Sequence, residues 1–199
     1  MIVKFCGMQR KEDIDAVNEI KPDLAGFILV PGRRRYVEPK TLEELKAELD
    51  PAIRAVGVFI DEEISVVTDL LKRGIIDIAQ LHGNESSEYI RELKKTTGAK
   101  VIKAIGIHDD SDLQKVEECE ADMVLLDSPG GGTGETFNWR RLQEVKRPFI
   151  LAGGLNTENI EEAIRTIHPY GVDVSSGIET DGKKDAEKMR SFMEIARKG

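Results

Sequence analysis

Two side chains combine proton-transfer chemistry with a place where a strand would end. Cys6 directly follows the run Ile2-Val3-Lys4-Phe5, and Asp127 directly follows Val124-Leu125-Leu126. A free thiol has a pKa near 8.5, so only a few per cent is thiolate at neutrality unless cations lower it. Lys4 and the run Arg33-Arg34-Arg35 are the cations within reach. Cysteine is also among the most buried residue types, so core packing is the other reading of Cys6, and the better one for Cys119 near a helix end. Asp127 precedes the small-residue stretch Ser128-Pro129-Gly130-Gly131-Gly132-Thr133-Gly134. Partial desolvation there would keep its carboxyl protonated for general-acid work; alternatively it caps the next turn through backbone amides.

Other polar residues fall at the ends of apolar runs: Asp61, Gln80 with His82-Gly83, Lys103, and Asp173 with Ser175-Ser176-Gly177. Ala152-Gly153-Gly154-Leu155 and Val174-Ser175-Ser176-Gly177 are small-residue turns whose backbone N–H groups, aided by a helix N-terminus, can approach a phosphate; taken singly, each is also an ordinary tight turn. The three arginines form either a solvated loop or a guanidinium fork for a substrate carboxylate. His82, His108 and His168 are far apart with no HxxxH spacing, so metal ligation is not expected and His82 reads as a polar contact or a loop-ordering residue.

The elements that must hold these groups recur along the chain. Short apolar runs occupy Ile2–Phe5, Leu24–Val30, Ala55–Phe59, Ile76–Leu81, Lys100–Ala104, Met123–Leu126, Pro148–Leu151 and Gly171–Val174. They are nearly continuous rather than alternating, as in parallel strands covered on both faces. Amphipathic segments lie between them; Ile64–Arg73 and Ala186–Arg197 are the clearest, and Asn138–Glu144 is the weakest. Thr41 with Glu44, and Thr157, are expected at helix starts, and Gly74 and Gly98 at helix stops. Strand then helix, eight times at roughly 20 to 30 residues per unit, predicts an α/β fold built as a single (β/α)8 barrel over residues 1–199. An open doubly wound sheet would want a glycine-rich turn after its first strand, and Gly7 alone does not make one. In such a barrel the strand ends carry the active site, with phosphate after strands seven and eight.

Bulk properties narrow the function. The 199 residues carry a net charge of −8, which disfavours nucleic acid and anionic membranes as partners. No apolar run reaches the roughly 20 residues of a membrane span, and the start shows no secretory leader. Two distant cysteines give neither a disulfide framework nor a zinc motif, which fits a reducing cytoplasm.

Taken in order, the motifs resemble the phosphoribosylanthranilate isomerase family of tryptophan synthesis along nearly the whole chain. Val3-Lys4-Phe5-Cys6-Gly7 is similar to its opening K-x-C-G, and Gly26-Phe27 with Pro31 through Arg35-Tyr36-Val37 to its second-strand loop. Val56-Gly57-Val58-Phe59, Gln80-Leu81-His82-Gly83, Leu125-Leu126-Asp127-Ser128 and Gly132-Thr133-Gly134 with Phe137-Asn138-Trp139 follow. Ala152-Gly153-Gly154-Leu155 and Val172-Asp173-Val174-Ser175-Ser176-Gly177-Ile178-Glu179 complete the set. Arg33 replaces the usual Ser of P-x-S-x-R, and Asn138 the Asp of F-D-W. The resemblance implies a cofactor-independent Amadori rearrangement with no metal, Asp127 as acid and Cys6 as base. Arg35 would bind the anthranilate carboxylate; Gln80, His82 and Asp173 the rest of the substrate; and Gly153, Gly154, Ser175, Ser176 and Gly177 the phosphate. The partner is then a small phosphosugar-anthranilate, and the enzyme a monomer or homodimer. The sugar isomerase of histidine synthesis, which resembles a barrel with aspartates in both roles, is disfavoured by Cys6. A noncatalytic phosphosugar-binding barrel is disfavoured by the presence of both Cys6 and Asp127.

Overall fold

The computed structural model describes residues 1–107, 110–127 and 139–198. Eight strands, β1 (Ile2–Cys6), β2 (Leu24–Ile28), β3 (Arg54–Phe59), β4 (Ile78–Leu81), β5 (Lys100–Gly106), β6 (Met123–Asp127), β7 (Phe149–Ala152) and β8 (Gly171–Val174), pair in sequence order and close into a barrel. Every pairing in it is parallel, including the seam that sets Lys4 beside Asp173. The outer layer is α1 (Lys11–Ile20), α2 (Pro39–Glu48), α3 (Ile64–Lys72), α4 (Ser87–Thr97), α5 (Asp110–Glu118), α6 (Ile160–Ile167) and α7 (Ala186–Lys198). A 3-10 turn, Trp139–Glu144, stands where the weakest helix was expected; residues 128–138, Asn138 among them, lie outside the described residues, as does His108. No helix among the described residues is long and apolar enough to cross a membrane.

Two apolar layers explain why the strands read as continuous runs. Leu24, Val56, Ile78, Ile102, Leu125 and Ile150 pack together as one cluster, while their strand neighbours, such as Phe5, Phe27, Phe59, Leu81, Val124 and Val172, pack with the helices as another. Because side chains alternate faces along a strand, the first set fills the barrel and the second faces outward. Where strand bounds depart from the apolar runs, the backbone shows why. Ile75 and Ile76 send their N–H groups back to the Leu70 carbonyl, so they close α3 instead of opening β4.

Helix ends follow local chemistry. Gly98 caps α4 in the left-handed region at φ 69°, and Gly74 does so just beyond α3 at φ 70°. Thr41 is not a cap: Pro39 fits the first turn of α2, so Glu38 precedes the helix and Thr41 lies within it. Thr157 is not one either. The Asn156 side chain accepts from the N–H groups of Glu158 and Asn159, moving the start of α6 to Ile160.

Candidate active site

Lys4 and Cys6 are two residues apart on β1 and therefore share a face. In register, Lys4 lies opposite Leu24 of the interior cluster, so that face is the inner one. The Lys4 side chain is fully buried and its Nζ donates to Asp173 Oδ1 at 2.9 Å. A buried ammonium persists only when paired. Burial works against the charge, yet Asp173 and Cys6 outweigh it and hold the lysine above its ordinary pKa. For Cys6 burial wins: it pushes the thiol up, while Lys4, and less strongly Lys184, pull it down. Gly26 stands beside Cys6 in the pairing of β1 and β2, and a Cβ there would lie 2.9 Å from Cys6 Sγ and 3.0 Å from Lys4 Nζ. A side chain at position 26 would push into this lysine–thiol arrangement.

The loop after β2 brings Arg35 to the same place. Its stem crosses Gly7, whose φ of 82° and missing Cβ leave room for the arginine Cδ. Its Nε and Nη2 donate to Glu179 Oε1 and Oε2 at 2.5 and 2.8 Å, and Arg34 reaches Glu179 as well. Arg33 is exposed. Glu179 belongs to a hairpin that sequence reading missed, β9 (Glu179–Thr180) with β10 (Lys183–Lys184). Asp181 and Gly182 turn it with φ of 51° and 76°, and Asp-Gly between two extended pairs was a usable signal for such a turn. Lys184, 2% exposed, donates to Glu179 Oε1 at 2.8 Å and to the Ser175 carbonyl at 2.9 Å. Burial alone would raise the Glu179 pKa, but hydrogen bonds from Arg35 and Lys184 pull it down to about 2. Burial lowers Lys184 despite that partner. Glu179 and Lys184 are the residues of this cluster that sequence reasoning did not place.

Across the barrel, Asp127 ends β6 in register with Ala152 of the interior cluster, so its carboxyl group also faces inward. Its Oδ2 lies 3.5 Å from His82 Nε2. Gln80, buried on β4, approaches His82 Nδ1 at 3.4 Å through Nε2. Lys103 and Asp61 prove to be loop braces. Lys103 Nζ donates to the Leu81 and Gly83 carbonyls and pairs with Glu85, and Asp61 Oδ1 accepts from the Asn84 N–H. The two glycine-rich loops meet: Asn156 bridges Gly177, and a Cβ on Gly177 would collide with the Leu155 carbonyl. Gly153 and Gly154 take φ of 89° and 64°, and Ser175 Oγ donates to the Cys6 carbonyl at 3.1 Å, linking this corner to the thiol strand. Neither loop runs straight into a helix, since α6 starts at Ile160 and α7 at Ala186. The helix N-termini that the sequence suggested behind these turns therefore do not begin at either of them.

Cys6, Gln80, His82, Asp127, Asp173, Gly153, Gly154 and Ser175 to Gly177 thus all lie at the C-terminal ends of their strands, with Arg35 over Gly7 beside them. A cleft of about 820 Å³ lies at the opposite end and is lined by Met1, Ile2, Phe149, Tyr170 and Arg197. Converging titratable groups, not volume, locate the chemistry.

The family model described as N-(5'phosphoribosyl)anthranilate (PRA) isomerase matches residues 3–195. An N-(5'-phosphoribosyl)anthranilate isomerase from Thermoanaerobacter sp. (strain X514) is 45% identical, covering 98% of this chain and 97% of the relative; that of Clostridium acetobutylicum is 43% identical, covering 98% of each. The crystal structure of phosphoribosyl anthranilate isomerase from Thermotoga maritima superposes with a TM-score of 0.90 at 35% identity over 100% of both chains. Another crystal structure of such an isomerase, in complex with reduced 1-(o-carboxyphenylamino)-1-deoxyribulose 5-phosphate, gives 0.88 at 33% identity over 100% of both chains. With its barrel, its inward Cys6 and Asp127 and these matches along almost its full length, the chain belongs to the phosphoribosylanthranilate isomerase family.

Proposed function

We propose that this chain converts N-(5'-phosphoribosyl)anthranilate to 1-(2-carboxyphenylamino)-1-deoxyribulose 5-phosphate, a step of tryptophan synthesis, by proton transfers alone. The reaction is an intramolecular oxidoreduction, an aldose-to-ketose change in which sugar carbon 1 is reduced as carbon 2 is oxidised. Asp127 protonates the furanose oxygen, the bond from that oxygen to carbon 1 breaks, and the anilinic nitrogen supplies the electrons to form an iminium ion. Carbon 2 is acidified, and the Cys6 thiolate takes its proton; the resulting enolamine becomes the ketone when carbon 1 gains a proton and the hydroxyl loses one. Splitting acid and base between two environments lets each hold its own protonation state. A cationic iminium beside the buried thiol favours the thiolate at the moment it is needed. Glu179 takes the Nε side of the Arg35 fork, so Nη1 and the outer N–H of Nη2 remain for the substrate carboxylate. The loops at Gly153-Gly154 and Ser175-Ser176-Gly177 hold the phosphate, and Asp173 and Gln80 face the sugar.

The observation that carries this reading is the placement of Cys6 and Asp127 on the inner face at the same end of one barrel, on β1 and β6. The test is the loss of substrate fluorescence, with phosphoribosylanthranilate generated in place from anthranilate and phosphoribosyl pyrophosphate by its transferase. The parent should turn over, and Cys6→Ser and Asp127→Asn should each lose about 100-fold or more in kcat while staying folded. A variant with a near-normal rate removes its residue from the mechanism, and a folded parent without turnover sinks the assignment.

A further inference from the structure

We infer that Gln80 and His82 are positioning residues that fix which oxygen of Asp127 delivers the proton. The inference rests on the reading of Asp127 as the acid, and it follows from what each atom can donate. Gln80 Nε2 is a donor only, so at 3.4 Å it calls for an unprotonated His82 Nδ1. The proton of the neutral ring is then on Nε2, which faces Asp127 Oδ2 at 3.5 Å and can donate to it once substrate closes the site. With Oδ2 engaged, the transferable proton of the carboxyl group sits on Oδ1. Once that proton passes to the substrate, the Nε2–H bond becomes charge-assisted, roughly twice as strong as its neutral form. This gain appears only as charge develops on the carboxylate, so it lowers the barrier without tightening ground-state binding. His82 keeps its proton throughout.

Two features support this orientation of the amide. Gln80 is 1% exposed and its Oε1 has no hydrogen-bond partner among the described residues. Turning the amide over would leave a second buried N–H without a partner in place of the carbonyl oxygen, which proteins tolerate less. As placed, Oε1 remains an acceptor for a substrate hydroxyl. The imidazole is also carried on a fixed backbone: the His82 N–H donates to the Phe59 carbonyl at 2.8 Å, and Lys103 ties the loop behind it. Both links to the ring are long, as catalytic hydrogen bonds often are before substrate closes them.

The test is a two-bond 15N–1H correlation spectrum of the histidine rings at about pH 8, above the ordinary imidazole pKa of about 6.5. The His82 signal is identified by its disappearance in His82→Asn. The expected parent spectrum shows His82 as the Nε2–H tautomer. Gln80→Met should move proton density to Nδ1 and lower kcat roughly 10- to 100-fold, while loss of the Oε1 acceptor raises KM separately. A parent carrying its proton on Nδ1 overturns the inference even if Gln80→Met fails to fold; so does a folded Gln80→Met with unchanged tautomer and kcat. Asp127→Asn separates the two readings: if it stays active the acid assignment falls, whereas an inactive Asp127→Asn with the wrong His82 tautomer removes only the positioning role.

Discussion

Cys6 poses the sharpest problem for a single residue, because burial raises the pKa of the group that must ionise. Lys4 opposes that effect, and it can do so because Asp173 keeps it charged inside the barrel. Removing the ammonium therefore displaces the thiol pKa further upward. The base form grows as pH rises toward that pKa, so alkylation of Cys6 by iodoacetamide should quicken with pH on the alkaline side of neutrality. In Lys4→Met the rising limb should move to still higher pH, and the alkylation should slow at any fixed pH. An unmoved limb would deny Lys4 its role. Asp173 then loses its partner, and about 3–5 kcal/mol of stability should go with it, read as a lower Tm. Cys6 and Asp127 were legible in sequence because a strand that ends in a reactive side chain presents it at the barrel mouth. The partners were not: with 29 basic and 37 acidic residues, composition cannot say that Lys4 meets Asp173 or that Arg35 meets Glu179.

At the scale of elements, the β9–β10 hairpin replaces a plain loop after β8 and sets Glu179 and Lys184 against the arginine loop after β2. The apolar period carries no trace of two-residue strands, which is why only the Asp181-Gly182 turn betrayed the hairpin in sequence. The same period found the eight barrel strands, because each buries both faces and must be apolar throughout. The hairpin makes an acid-stability prediction. The folded-state pKa of Glu179 is depressed to about 2 from its ordinary value of 4.5. Its contribution is thus fully present above the unfolded value and disappears as pH falls from about 4.5 toward 2. By linkage it amounts to no more than about 3 kcal/mol. Thermal melts of the parent and Glu179→Gln should differ most above pH 5 and converge as pH approaches about 2. Without its brace, the Arg35 fork is less well aimed, so Glu179→Gln should also raise KM for phosphoribosylanthranilate more than it lowers kcat. Equal melts across the whole range would mean that Glu179 is not held as the structure places it.

Over the whole molecule, closure of the barrel depends on its two chain ends. The seam joins β1 to β8, pairing Ile2 with Gly171 and Phe5 with Val174. Runs of apolar residues cannot distinguish this ring from an open sheet, since the deciding contact links residues nearly the whole chain apart; the absent glycine-rich turn after β1 was an indirect hint. Two kinds of contact guard the seam. Phe5, facing outward from β1, meets Phe192 of α7 edge to face at 6.3 Å, and both are fully buried. Arg197 of α7 donates to the Met1 carbonyl and pairs with Asp23, which also accepts the Val3 N–H, but its side chain is 43% exposed. A buried ring contributes through area and packing, whereas an exposed ion pair is screened by water. Phe192→Ala should therefore cost about 3–5 kcal/mol and lower Tm by roughly 10 °C, while Arg197→Ala should cost less than about 1 kcal/mol. If residues 1–199 form one catalytic domain, fluorescence and circular dichroism should follow the same transition in both variants. Separate transitions would divide the domain, and equal losses from the two substitutions would mean that charge, not packing, holds the seam. Since Cys6 ends β1 and Asp173 lies on β8, a loosened seam should also lower kcat below the melting range, because acid, base and carboxylate fork are placed from strands on both sides of it.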